Sequence, residues 1–207
     1  MKHLIHVAGL SLTLSLEAMA QGPTGFSALK LGMTKETIES LQVSQGVHLN
    51  SPMTAYQYKN GAPKEGVDKF NARLATPLSS EPVDAVLTFE SSQLTELYIN
   101  IPESSNMLER IKAQITEKYG AGKEENTMKE EQCIYKNGAN FKLSSGALST
   151  TWTETSSRTE LIETNLSDIV IATCPSNLRY SIGPVKLRSI NIRKIKPSTE
   201  LKSKNLF

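Results

Sequence analysis

Between residues 106 and 119 the apolar side chains return every three or four positions, at Leu108, Ile111 and Ile115. Gly120 follows, where a helix end favours a left-handed residue. The spacing predicts a helix over Asn106 to Tyr119, started by Ser105 or Asn106 as cap. A shorter helix is predicted over Lys35 to Leu41, with Thr34 as N-cap, Glu36 near the start, and Ile38 and Leu41 on one stripe. Elsewhere the period shortens to two. Val83 to Phe89 and Leu94 to Ile101 read as an antiparallel hairpin joined by Glu90-Ser91-Ser92-Gln93. Gln132 to Tyr135 and Asn140 to Leu143 read as a second hairpin, turning at Asn137-Gly138 in a type I′ conformation. Ala147 to Glu154, Glu160 to Asn165, Asp168 to Thr173, Tyr180 to Ile182 and Leu187 to Ile195 continue as strands. Tyr56 to Tyr58 reads as a strand entering a turn at Asn60-Gly61, while Lys64 to Leu74 fits a loop or a brief helix equally.

Tyr58-Lys59-Asn60-Gly61 recurs as Tyr135-Lys136-Asn137-Gly138, each copy downstream of a predicted helix and upstream of a strand pair. The expected fold is therefore α+β: two helix-plus-antiparallel-sheet units, a candidate tandem repeat, packed as one body. The units would span 21–103 and 104–195, preceded by residues 1–20 as a signal peptide and followed by a loose tail over 196–207.

Leu29-Lys30-Leu31-Gly32-Met33-Thr34-Lys35-Glu36-Thr37-Ile38-Glu39-Ser40-Leu41 resembles the opening of the small outer-membrane assembly lipoproteins and the beta-lactamase inhibitory protein-like domains. In those groups a Gly-Met-Thr turn feeds a short helix ahead of a three-stranded antiparallel sheet. The resemblance implies a tandem helix-on-sheet architecture in a fold group made up mostly of binding proteins. Two lipoprotein features are missing here, the Gly-x-Pro after the helix and the lipid-bearing Cys.

The first twenty residues change the picture of where the chain works. A basic start at Lys2, an apolar stretch from Leu4 to Leu16 and the small residues Ala18 and Ala20 around Met19 make a cleavable secretory signal. The apolar run falls short of the ~20 residues that span a bilayer, so no integral membrane segment is expected in the mature chain. A periplasmic or secreted location follows, in which Cys133 and Cys174 are expected to form a disulfide. Cleavage removes His3 and His6 and leaves His48, which sits between Val47 and Leu49 with no acidic or Cys neighbour. A zinc site or a Ser-His-Asp hydrolase is hard to build from that inventory, and no cofactor motif is present. At 38% hydrophobic and 21% charged, with a formal net charge of +2, the composition is that of an ordinary globular chain and disfavours nucleic acid as a partner.

The remaining candidates are few. Ser and Thr abound, including Ser144-Ser145-Gly146, but none lies in a nucleophile motif. Glu154 and Glu160 are first suspects for a carboxylate pair. Trp152 lies in a Thr-rich strand, where it packs in the core or is displayed as an anchor. The basic strand Leu187 to Ile195 alternates Leu187, Ser189, Asn191 and Arg193 against Arg188, Ile190, Ile192 and Lys194, which suits a solvated edge strand or contact with anionic envelope polymers. The expected function is non-catalytic binding of a protein or cell-envelope component, with Tyr58, Asn60, Gly61 and Trp152 as candidate partner-binding residues. The alternatives are a secreted inhibitor of a hydrolase, plugging a foreign site with Asn60-Gly61 or Ser144-Ser145-Gly146, and a carboxylate-dependent glycan hydrolase. Oligomeric state is not legible in the chain.

Overall fold

The computed structural model describes residues 22–59, 61, 64–157, 160–174 and 183–196. The segment 1–20 expected to be a signal peptide, Asn60, Tyr180 to Ile182 and the tail beyond Lys196 lie outside the described residues.

The α+β expectation of two helix-plus-sheet units is overturned. Among the described residues 52% are strand and 13% helical, and the strands form an antiparallel architecture. After a small hairpin, β1 (Gly25–Phe26) and β2 (Leu29–Lys30), come α1 (Lys35–Glu39), a 3-10 turn (Val43–Gln45), β3 (His48–Leu49) and β4 (Thr54–Ala55). Then follow β5 (Val67–Ala75), β6 (Val83–Glu90), β7 (Gln93–Ile101) and α2 (Met107–Tyr119). The chain ends in β8 (Lys123–Asn126), β9 (Lys129–Ile134), β10 (Asn140–Ser157), β11 (Glu160–Ile171) and β12 (Val185–Ile195).

Ten of these strands make one sheet in the order β3-β5-β6-β7-β12-β11-β10-β8, with β4 on β5 and β9 on β10. The physical reason is the β7–β12 seam. A three-strand meander leaves a free edge, and here the last strand of each meander pairs with the other, Ile101 to Glu96 against Arg188 to Arg193. Ile190 and Ile192 thereby stand opposite Ile99 and Leu97, and the apolar side chains run across the seam as one core. The helices cannot define separate units: α1 has five residues and buries Ile38, while α2 adds Met107, Ile111 and Ile115 to the same core. β12 is accordingly an interior strand, not a solvated edge.

Local signals fared better. Thr34 caps α1, its hydroxyl accepting the Thr37 N–H at 3.3 Å. Gly120 closes α2 at φ 81°, its N–H donating to the Thr116 carbonyl at 2.9 Å. The β6–β7 hairpin forms as expected, turning on Ser91 and Ser92 at φ 50° and 63°. The β9–β10 turn differs from type I′. Tyr135 and Ala139 pair around three residues, with only Gly138 at positive φ, which makes it a three-residue loop.

Lys64 to Leu74 holds neither helix nor plain loop; most of it is β5. Ser144-Ser145-Gly146 is no exposed loop either, because β10 runs unbroken through it. At Gly146, φ 133°, β10 passes from pairing with β9 to pairing with β8, and a Cβ there would lie 2.4 Å from the Thr127 carbonyl oxygen. Glycine is what lets the two backbones approach. Cys133 and Cys174 are disulfide-bonded, Cα to Cα 5.5 Å, tying the β9–β10 arm to the end of β11. Such a bond fits an oxidising compartment.

Both copies of the repeated tetrapeptide join an edge strand to the longer strand it pairs with, β4 to β5 and β9 to β10. They sit at diagonally opposite corners of one sheet.

Candidate functional site

A strand alternates its side chains between two faces, and in this sheet the two faces have different fates. One face carries Leu74, Ala85, Leu87, Leu97, Ile99, Ile190, Ile192, Leu166 and Trp152 into the core beneath the helices. Neither helix packs on the other face, because the buried residues of both belong to that core.

The open face is built in rows, because residues opposite one another across antiparallel strands point the same way. Ser149, Ser167, Ser189 and Asn100 make one row, with the Ser167 and Ser189 hydroxyls hydrogen-bonded at 2.9 Å. Thr151, Asn165, Asn191 and Tyr98 make the next, Asn165 donating from Nδ2 to Thr151 Oγ1 at 2.9 Å. In the third row Arg193 donates to Glu163 at 2.7 Å and 3.0 Å. Its neighbour Glu96 accepts from Asn191 Nδ2 at 3.1 Å and Thr88 Oγ1 at 3.3 Å. Asn191 Oδ1 is buried and has no partner among the described residues. Beyond the serine row, Ile169 faces Leu187 and Ile171 faces Val185, and Ile171, Val185 and Leu187 are each about half exposed. The surface thus passes from charged to hydroxyl and amide to aliphatic along the length of β11 and β12.

Two clefts open on this face at opposite ends of β7. The larger, about 810 Å³, is lined by Thr88, Glu90, Glu96, Glu160, Arg193 and Lys194 among others. The smaller, about 470 Å³, runs between the Ser51 to Thr54 segment and Asn71, Arg73, Asp84 and Asn100.

The structure does not bring the four expected partner-binding residues together. Tyr58 is half-buried beside Tyr56, ring centroids 5.2 Å apart, and Gly61 is exposed in the same connection; Asn60 is outside the described residues. Trp152 lies on β10, with four strands between it and β5, on the core side, 5% exposed, its indole N–H donated to the Gly120 carbonyl at 2.9 Å. Its ring offers no surface to a partner. Glu154 and Glu160 both sit near the β10–β11 turn, but the larger of the two clefts takes in Glu160 and not Glu154. Glu160 is ion-paired to Lys194 at 3.4 Å. His48 is half-buried in β3 with Nδ1 lacking a partner among the described residues, where no group of three or more His, Cys, Asp or Glu is placed to hold a metal. No helix among the described residues is long and apolar enough to cross a membrane.

Burial pushes the Glu154 carboxyl above its usual value. A raised pKa means that the folded chain holds this proton more tightly than the unfolded chain, so ionised Glu154 opposes folding at neutral pH, and the penalty vanishes as pH falls through the folded pKa. Glu154→Gln is expected to raise the melting temperature slightly at pH 7 and to have no effect below the carboxylate range, as thermal melts at the two pH values would show.

Sequence reasoning places Ser189 and Asn191 on one face of β12 with Leu187 and Arg193, but names neither these nor Tyr98, Asn165 and Ser167 as site residues. Their signal was available in the alternation of Ser, Thr and Asn with aliphatics along β10, β11 and β12. No protein-family model, curated protein or solved structure matches the chain.

Proposed function

We propose that the chain is a non-catalytic binding protein of the periplasm or the extracellular space, whose open sheet face receives a protein or cell-envelope component. One observation carries the reading: among the described residues a wide sheet is left without helical cover on one side, and dressed there with short hydrogen-bonding side chains instead of a packed layer. Rows of hydroxyls and amides held by one another are preorganised, so little side-chain entropy is lost when a partner docks. The aliphatic end at Ile171, Val185 and Leu187 supplies the exposed apolar area that such surfaces use as an anchor. The disulfide supports an oxidising location.

The test is capture from envelope extract by the full chain, compared with the variants Ser149→Arg on the open face and Glu117→Arg on the exposed side of α2. A partner retained by the wild type and by Glu117→Arg, and lost at least about tenfold by Ser149→Arg with an unchanged melt, supports the reading. Equal retention by Ser149→Arg, or loss confined to Glu117→Arg, overturns it.

A further inference from the structure

On the opposite side of the molecule, where the β1–β2 hairpin, the Thr76 to Leu78 connection and α2 meet, there is a crevice of about 330 Å³. Its floor is apolar: Phe26, Ile111, Ile115 and Ile190 line it, each less than a tenth exposed. Lys30 and Lys118 line the same crevice, and both side chains belong to exposed residues. No Asp or Glu lines it. Among the described residues neither ammonium has a carboxylate within 4.0 Å; Lys118 Nζ lies over the Tyr119 ring, 5.0 Å from its centroid.

We infer that this crevice binds a small amphipathic monoanion of the medium-chain fatty acid type, its alkyl chain on the isoleucine and phenylalanine floor and its carboxylate between Lys30 and Lys118. Two uncompensated ammonium groups beside an apolar floor favour an anion and repel a cation, and hydrogen bonds from an ammonium to a carboxylate are stronger than neutral ones. The volume stands at the small end of the roughly 300 to 1,000 Å³ of ordinary ligand pockets, which suits one short chain and not a two-chain lipid. The site is separate from the open face, so it stands or falls independently of the binding function proposed there.

Decanoate, decylammonium and decanol, each titrated below its aggregation limit into the full chain and followed by calorimetry and amide NMR, test the inference. Decanoate should bind one to one and shift the amides of Ser27 to Lys30 and Ile111 to Tyr119. The double variant Lys30→Gln and Lys118→Gln, at exposed positions that leave the core intact, should weaken decanoate about tenfold and leave decanol unchanged. Decylammonium binding as tightly as decanoate, decanoate binding undiminished in the double variant, no binding at all, or shifts confined to Ile169 to Leu187 would each overturn it.

Discussion

Trp152→Ala is expected to lower the stability of the fold by about 3–5 kcal/mol, the range for truncating a large buried aromatic. The effect has three sources. The side chain is 5% exposed, so its removal opens a cavity on the helix side of β10. The ring lies so close to the chain leaving α2 that a Cβ on Gly122 would come within 2.7 Å of it, and that glycine has no side chain with which to fill the space. The Gly120 carbonyl, which accepts the indole N–H, would lose that partner at the very end of α2. Trp152→Phe keeps most of the ring and loses the hydrogen bond, and should cost roughly 1–2 kcal/mol. Urea unfolding curves decide it: a midpoint shift at constant m is the expected result. A Trp152→Ala variant as stable as the wild type would mean that the ring is displayed rather than packed.

That residue also shows how far the chain could be read. The alternation in Thr150 to Thr153 shows that Trp152 faces away from Thr151 and Thr153, but it does not say which face meets the helices. The same limit applied to the whole sheet. Alternation in Leu187 to Ile195 separates Ile190 and Ile192 from Ser189 and Asn191, yet it is silent about which strand lies alongside, so an interior strand flanked by β7 and β11 reads as an edge. Strand pairing between residues a hundred positions apart leaves no local mark. Helix α2, in contrast, was legible almost to the residue, because its period, its apolar stripe and Gly120 are all local. β10 reads as separate strands for a related reason: Gly146 punctuates the sequence as a turn would, whereas in the fold it lies within one strand as that strand passes from β9 to β8.

The candidate site was harder to see than the fold, because its residues are ordinary. Ser, Thr and Asn at alternate positions read as solvated strand faces, and only the registry of β10, β11, β12 and β7 assembles them into rows that share hydrogen bonds. The charged residues confirm how much depends on registry. Arg188 was one of several basic residues in a C-terminal stretch; in the fold it pairs with Asp168 at 3.1 Å and donates to the Glu103 carbonyl at 3.2 Å, fastening the approach to α2 onto the sheet. A basic run that looked available to an anionic partner is in part internal structure: Arg188, Arg193, Lys186 and Lys194 each have a carboxylate partner.

Cys133→Ser combined with Cys174→Ser is expected to lower stability by about 4 kcal/mol, the loop-entropy value for closing a loop whose ends are 41 residues apart. The loop contains all of β10 and β11, so cross-linking it restricts a large part of the unfolded chain. In the folded state the bond fastens an arm with little else to hold it: along β9, Cys133 is the one buried residue, and Ile134 beside it is 76% exposed. Without the bond the arm keeps its pairing to Asn140 to Ser145 but loses its covalent tie to the end of β11. Two measurements separate the global from the local effect. Urea unfolding should show the full loss, and hydrogen exchange should show Lys129 to Ile134 losing protection before the β6–β7 and β11–β12 pairs do. Exchange accelerating in the arm while the urea midpoint stays put would locate the bond's contribution in the arm alone and refute the expected global loss.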